Sequence, residues 1–118
     1  MSLSTFGAIM TFAMELEGRL HDFYKAAGNE DRARDADKRR AKMERVRRES
    51  VLEITLETID GLDETDYDTD FTDISVAGQQ AAEKNAARFY ADVAPKINVR
   101  EAQRALEKAG KEHAALAG

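Results

Sequence analysis

Two stretches of the chain place a glutamate seven residues ahead of a tyrosine: Glu17 ahead of Tyr24, and Glu83 ahead of Tyr90. Seven residues make two turns of an α-helix, so the carboxylate and the phenol of each pair share one helix face. The neighbours on that face are apolar, and a carboxylate buried among them is costly unless it is paired, protonated or bound to a metal. The spacing therefore predicts two acidic groups in a helix-packed interior, each in need of a partner.

The composition indicates a helical protein and excludes several kinds of chemistry. The chain has 118 residues, 35% of them charged, with a net charge of -5 and one proline. That balance is typical of a single well-solvated helical domain over residues 1–118, and it disfavours nucleic acid as a partner. Since there is no cysteine, a disulfide, a thiolate metal site and an iron-sulfur cluster are excluded. A reducing cytoplasm is the default expectation for a chain without cysteine. We expect no membrane partner, because no segment is long enough to cross a bilayer.

Apolar residues at spacings of three and four predict an all-α fold. The predicted helices cover about residues 5–27, 31–59, 75–93 and 98–117. Ser4 or Thr5 can cap the first helix, and Gly28 can end it. Asn98 and Glu101 have the spacing of a capping box at the start of the last helix.

The lengths of the connections predict the topology. The links between the first two helices and between the last two are short, which favours antiparallel neighbours. The middle link, at about residues 60–73, can extend roughly 45 Å and so can cross the whole bundle. We therefore expect two antiparallel helical hairpins joined by a long crossover. An ungapped shift of 66 residues superposes these hairpins and brings Glu17 onto Glu83.

With these residues and this topology, the chain resembles the rubrerythrin branch of the ferritin-like superfamily, whose four-helix bundles hold a di-iron site. The family site takes one glutamate from the first helix of each hairpin and a Glu-x-x-His motif from the second. By this resemblance, Glu17 and Glu83 match the lone glutamates. The motif positions fall on Glu44-Arg-Val-Arg47 and Gly110-Lys-Glu-His113, so one histidine is replaced by arginine and one glutamate by glycine.

The resemblance implies a degenerate metal site. The ligands that remain are Glu17, Glu44, Glu83 and His113. Arg47 carries a fixed positive charge, so we expect it inside the bundle, paired with Glu17, Glu44 or both. The remaining half would hold a single iron, manganese or zinc ion on Glu44, Glu83 and His113, a ligand set that all three metals accept.

Two function classes follow. In the first, the protein is a metal-dependent oxidoreductase that handles peroxide or oxygen; because the chain has no cysteine for a rubredoxin centre, its electron donor would be another protein. In the second, it is a metal-free helical bundle that acts as a non-enzymatic binding or structural module. The basic run at 32–48 and the acidic run at 53–73 could pair between subunits, which favours a homo-oligomer, in the simplest case a dimer.

Two further residues leave alternatives open. Gly110 in a helix interior costs about 1 kcal/mol relative to alanine, so it marks either room for a neighbouring side chain or a relaxed helix end. His21, four residues after Glu17, has a spacing that suits metal ligation, although a surface pair is the favoured interpretation.

Overall fold

The protein is described by a computed structural model that covers residues 3–50 and 61–118. These residues form four α-helices and two short 3-10 helices, with no β-strand among them. The α-helices are α1 (Phe6–Ala26), α2 (Glu30–Glu49), α3 (Val76–Val93) and α4 (Arg100–Ala117), and the 3-10 helices are Glu64–Tyr67 and Ala94–Lys96. The all-α prediction is confirmed for the described residues. The predicted extension of the second helix over 51–59 lies outside them.

The ends of the first hairpin follow from its sequence. Thr5 caps α1, because its hydroxyl accepts a hydrogen bond from the backbone N–H of Ala8 at 3.0 Å. After α1 the chain turns at Gly28, whose φ of 76° suits a residue without a Cβ. Asn29 then caps α2, accepting from the N–H of Arg32 at 3.2 Å. Only three residues, 27–29, separate the two helices.

The last helix begins slightly later than the predicted start at about residue 98. Helix α4 begins at Arg100, so Val99 occupies the N-cap position and provides no side-chain cap. Ile97 and Val99 are both buried. Burial of these two side chains helps to fix where the helix begins. The connection from α3 to α4 therefore spans six residues, 94–99, twice the length of the connection from α1 to α2.

Helix α1 packs mainly against α2, and α3 mainly against α4. Contacts between them join Tyr24 with Arg32, Glu17 with Arg39, Ala94 with Gln103, and Glu83 with His113. Helix α4 also contacts α2.

The segment ahead of α3, predicted as a connection, is anchored to the bundle by Tyr67. Its ring is 4% exposed and packs against Phe12 and Phe89, with centroid separations of 6.3 and 5.3 Å. The Tyr67 hydroxyl donates a hydrogen bond to Asp92 at 2.7 Å, and the side-chain amide of Asn85 donates to the Tyr67 carbonyl at 2.7 Å. These contacts tie the described part of the connection to α1 and α3.

Gly110 of α4 lies against Tyr90 of α3. A Cβ at this position would lie 3.0 Å from Cβ of Tyr90. Of the two interpretations left open by the sequence, room for a neighbouring side chain is the one that fits. The glycine lets α4 come close enough to bring His113 beside Glu83.

Gly110→Val should lower the free energy of unfolding by about 1 to 3 kcal/mol, the usual cost of overpacking, because the Tyr90 Cβ is fixed to the backbone and cannot swing aside. Urea denaturation measures the change. The matched control is Gly18→Ala in α1, whose new Cβ would lie 3.8 Å from Arg40 Cδ. It should be neutral or stabilising by up to about 1 kcal/mol. A Gly110→Val protein as stable as the parent would show that the approach of α4 to α3 does not depend on the glycine.

Candidate functional site, a buried ionic cluster

Three of the four residues predicted as metal ligands come together in the centre of the structure. Glu17 comes from α1, Glu83 from α3 and His113 from α4, and all three are 0% exposed. The ring of His113 lies between the two carboxylates. Its Nε2 is 2.9 Å from Oε2 of Glu17, and its Nδ1 is hydrogen-bonded to Oε2 of Glu83. One imidazole thus joins the carboxylates of two different helices.

Each tyrosine of the repeated pattern contacts the glutamate of the other stretch. The Tyr24 hydroxyl donates to Oε1 of Glu83, and the Tyr90 hydroxyl donates to Oε2 of Glu17 at 2.9 Å. Both phenols are fully buried, and the Tyr90 ring stacks on the His113 ring with a centroid separation of 5.6 Å. The two hydrogen bonds are reciprocal between α1 and α3. The glutamate and the tyrosine that lie seven residues apart on one helix therefore contact the other helix and do not contact each other.

Helix α2 contributes Arg39, which the sequence analysis did not single out. Its Nε donates to both oxygens of Glu17, at 2.8 and 3.2 Å, and its side chain is 7% exposed. A signal for this residue was present in the sequence. Arg39 lies on the buried stripe of α2, three residues after Ala36 and four residues before Met43. A basic residue at such a position is expected to meet a buried acid.

The prediction that Arg47 lies inside the bundle is wrong. Arg47 is exposed, and so is Glu44, which pairs with Arg40 on the same helix at 3.4 Å instead of joining Glu83 and His113. The reason is a difference in register between the two helix pairs. The residue that faces Glu17 comes 22 positions later in the chain, whereas the residue that faces Glu83 comes 30 positions later. The longer connection between α3 and α4 accounts for three of these eight positions. One ungapped shift therefore cannot align α1 with α3 and α2 with α4 at the same time.

His21 lies outside the cluster. Its Nδ1 is 3.0 Å from a carboxylate oxygen of Asp22, and both side chains reach solvent. The interpretation of His21 as a member of a surface pair is confirmed.

The cluster shifts the protonation equilibria of its members. Burial alone would raise the pKa of Glu17, but the hydrogen bond and charge of His113 and the charge of Arg39 outweigh it and lower that pKa below its usual value. Burial alone would lower the pKa of His113, but its hydrogen bonds to Glu17 and Glu83 and their charges raise it to about 9. At neutral pH, His113 is therefore an imidazolium that donates from both ring nitrogens.

Burial, together with the neighbouring carboxylates, also keeps the two tyrosines protonated. The pKa of Tyr24 is raised by burial and by its hydrogen bond to Glu83, and that of Tyr90 by burial and the charge of Glu17. Each phenol is thus a neutral donor. With two carboxylates set against His113 and Arg39, the cluster is balanced in charge within the protein itself.

The cluster as arranged does not fit a bound metal ion. An imidazole ligates a metal through a nitrogen lone pair, and both nitrogens of His113 are instead directed at carboxylates. Arg39 holds both oxygens of Glu17, which leaves that carboxylate little freedom to turn toward a metal. Among residues 3–50 and 61–118, no group of three or more His, Asp or Glu side chains, this cluster included, has the arrangement of a metal site.

Comparison with known proteins does not assign a family to the chain, since no family model, no curated protein and no solved structure matches it. Within the described part of the chain, none of the helices is long and apolar enough to span a bilayer. The chemistry of the buried cluster is therefore the main guide to function.

Proposed function

We propose that the protein is a ferritin-like four-helix bundle in which an ionic cluster takes the place of the metal centre, and that it acts as a non-enzymatic binding or structural module. The contacts of α1 with α2 and of α3 with α4 support two antiparallel hairpins. The reciprocal hydrogen bonds of Tyr24 and Tyr90 support an approximate twofold relation between them. A crossover at about residues 60–73 would join the hairpins.

The observation that carries this proposal is the position of His113 between two carboxylates. Both of its ring nitrogens are within hydrogen-bond distance of an acidic oxygen, from Glu17 on one side and Glu83 on the other. With Arg39 on Glu17, two positive side chains balance two negative ones. The protein thus supplies the positive charge that a metal supplies in a carboxylate-rich bundle.

The burial of the cluster supports a role without catalysis. Glu17, Glu83 and His113 are 0% exposed, as are Tyr24 and Tyr90. A group that transfers a proton or an electron pair to a substrate must come within hydrogen-bond reach of it. No substrate can reach these groups unless the helices separate. The role of the cluster is therefore to stabilise the packing of the helices against one another.

Metal analysis tests the proposal directly. Protein purified without chelator, and then incubated with iron, manganese or zinc and desalted, should retain only substoichiometric metal, because His113 must lose a stabilised proton before it can ligate. Elemental analysis by mass spectrometry gives the metal content per chain. His113→Ala tests the cluster, and His21→Ala is the matched control because these are the two histidines of the chain.

A single bound metal is the second candidate, favoured by the convergence of Glu17, Glu83 and His113 in one place. These residues would hold one iron, manganese or zinc ion if His113 gave up its proton and Glu17 turned from Arg39. Such an ion would provide Lewis-acid or redox chemistry toward peroxide or oxygen. One equivalent of metal that disappears in His113→Ala but persists in His21→Ala would establish this candidate and overturn the metal-free proposal.

A further inference from the structure

The groove between α2 and α4 is strongly basic, although the chain as a whole carries a net charge of -5. It encloses about 340 Å³. The basic residues that line it are Lys38, Arg39, Lys42, Arg45 and Lys108. Two acidic residues, Asp35 and Glu112, also line it, so positive charge predominates in the cleft. A volume of this size lies at the lower end of the range of small-molecule sites, about 300 to 1,000 Å³.

Arg39 belongs both to the lining of this cleft and to the buried cluster, and Glu17 does not use all of its N–H donors. Its Nε is used by Glu17, and its Nη1 is 3.5 Å from Oε1 of Glu112, at the long limit of a hydrogen bond. Its Nη2 is buried and has no hydrogen-bond partner among the described residues. A buried guanidinium nitrogen without an acceptor is costly, and nearly all such groups in proteins are satisfied by protein, water or an ion.

We propose that this cleft binds the phosphate group of a small molecule, or free phosphate, with Arg39 at its inner end. A guanidinium offers two parallel N–H donors that match two oxygens of a phosphate, and the lysines around it add point charges. Lys42 from α2 and Lys108 from α4 line the cleft from opposite helices. This site is separate from the proposed metal site, because the ligand would take the place of Glu112 at Nη1 of Arg39, next to the unpartnered Nη2, and would leave the contact of Nε with Glu17 in place.

Replacement of Glu112 tests the proposal through a gain, not a loss, of affinity for phosphate. The Glu112 side chain is 42% exposed and contacts Arg39 Nη1 at 3.5 Å, so an incoming phosphate would compete with it for the same nitrogen. Glu112→Gln removes a negative charge from the cleft and weakens that competition. The variant should therefore bind phosphate several-fold more tightly than the parent, whereas a purely structural role of Glu112 would give no gain in affinity.

Isothermal titration calorimetry with the full chain measures the affinity for inorganic phosphate and for a small phosphate monoester at fixed ionic strength. Lys42→Ala and Lys108→Ala should each weaken binding by about tenfold, the loss of one hydrogen bond to a charged group. Arg104→Ala is the control, since Arg104 is an exposed cation on α4 that does not line the cleft. Tighter binding of the monoester assigns the cleft to a phosphorylated small molecule, and tighter binding of inorganic phosphate assigns it to the free ion.

Several results would overturn the assignment. One is the absence of measurable binding of either ligand. Another is an equal loss of affinity in Lys42→Ala and Arg104→Ala, since this would mean that phosphate responds to net charge alone. A third is a parent protein that does not bind phosphate, together with lysine variants whose oligomeric state has changed. That combination would assign the basic cleft to a second copy of the chain. Binding of an oligonucleotide without binding of phosphate would assign it to nucleic acid.

Discussion

Arg39→Ala should lower the free energy of unfolding by about 3 to 5 kcal/mol, the cost of removing one member of a buried ion pair. Glu17 is 0% exposed and accepts two hydrogen bonds from Arg39 Nε. Without Arg39, the two carboxylates of the cluster would share the single positive charge of His113. The remaining negative charge would lie in a region of low dielectric, where water cannot stabilise it. Urea denaturation at neutral pH, followed by circular dichroism, measures the loss.

Arg47→Ala is the matched control for this experiment. Arg47 lies on the same helix and has the same side chain, but it is exposed, so its removal should change the unfolding free energy by less than about 0.5 kcal/mol. Glu17→Gln combined with Arg39→Met should recover part of the stability, because both charges then leave together. Equal losses in Arg39→Ala and Arg47→Ala would contradict the placement of Arg39 in the interior.

The sequence was sufficient to predict which faces of three helices turn inward. Glu17, Glu83 and His113 each lie on an apolar stripe, and helical periodicity alone places such residues in the interior. Local patterns of this kind depend only on the geometry of a single helix, which is why they could be predicted. The contact of each glutamate with the tyrosine of the other stretch depends on how α1 lies against α3, and the sequence analysis did not predict it.

The residue on α2 that faces Glu17 could not be predicted in the same way. Periodicity shows which face of a helix is buried, but the length of the preceding turn decides which residue on that face is opposite a given partner. The turn at 27–29 is tight because Gly28 adopts a positive φ, whereas the connection at 94–99 contains a 3-10 helix. The shift of 66 residues assumed the same register in both helix pairs, and the unequal connections are one part of the difference between them. It therefore selected Glu44 and Arg47 in place of Arg39.

The protonation of the site could not be predicted from the sequence either. Two glutamates and a histidine are compatible with a metal site if the imidazole is neutral, and with an ion-paired cluster if it is charged. The choice depends on what lies within hydrogen-bond distance of each ring nitrogen. In this structure both nitrogens of His113 face carboxylates, and Arg39 adds a second positive charge.

The stability of the protein should therefore fall as the pH rises from about 6.5 to about 9. The pKa of His113 is raised from 6.5 to about 9 by Glu17 and Glu83, so the folded state holds a proton that the unfolded chain releases in this range. The contribution is fully present below pH 6.5 and is lost as the pH passes the folded pKa.

Glu17 acts in the opposite direction, because its pKa lies below its ordinary value of 4.5 and its contribution is lost only as the pH falls below that value. Maximal stability is expected between these two limits, and the alkaline loss should amount to a few kcal/mol.

Urea denaturation at a series of pH values measures this slope in the parent and in His113→Gln, which has no group that titrates at that position. The slope between pH 6.5 and 9 should be reduced in His113→Gln and retained in His21→Gln, whose side chain lies outside the cluster. Groups that do not contact His113 are common to the parent and the variant, so their contributions cancel in the difference. A parent protein with the same slope as His113→Gln would show that His113 is neutral in the folded state. That result would contradict the charge-balanced cluster and leave the single-metal site as the better account of these three residues.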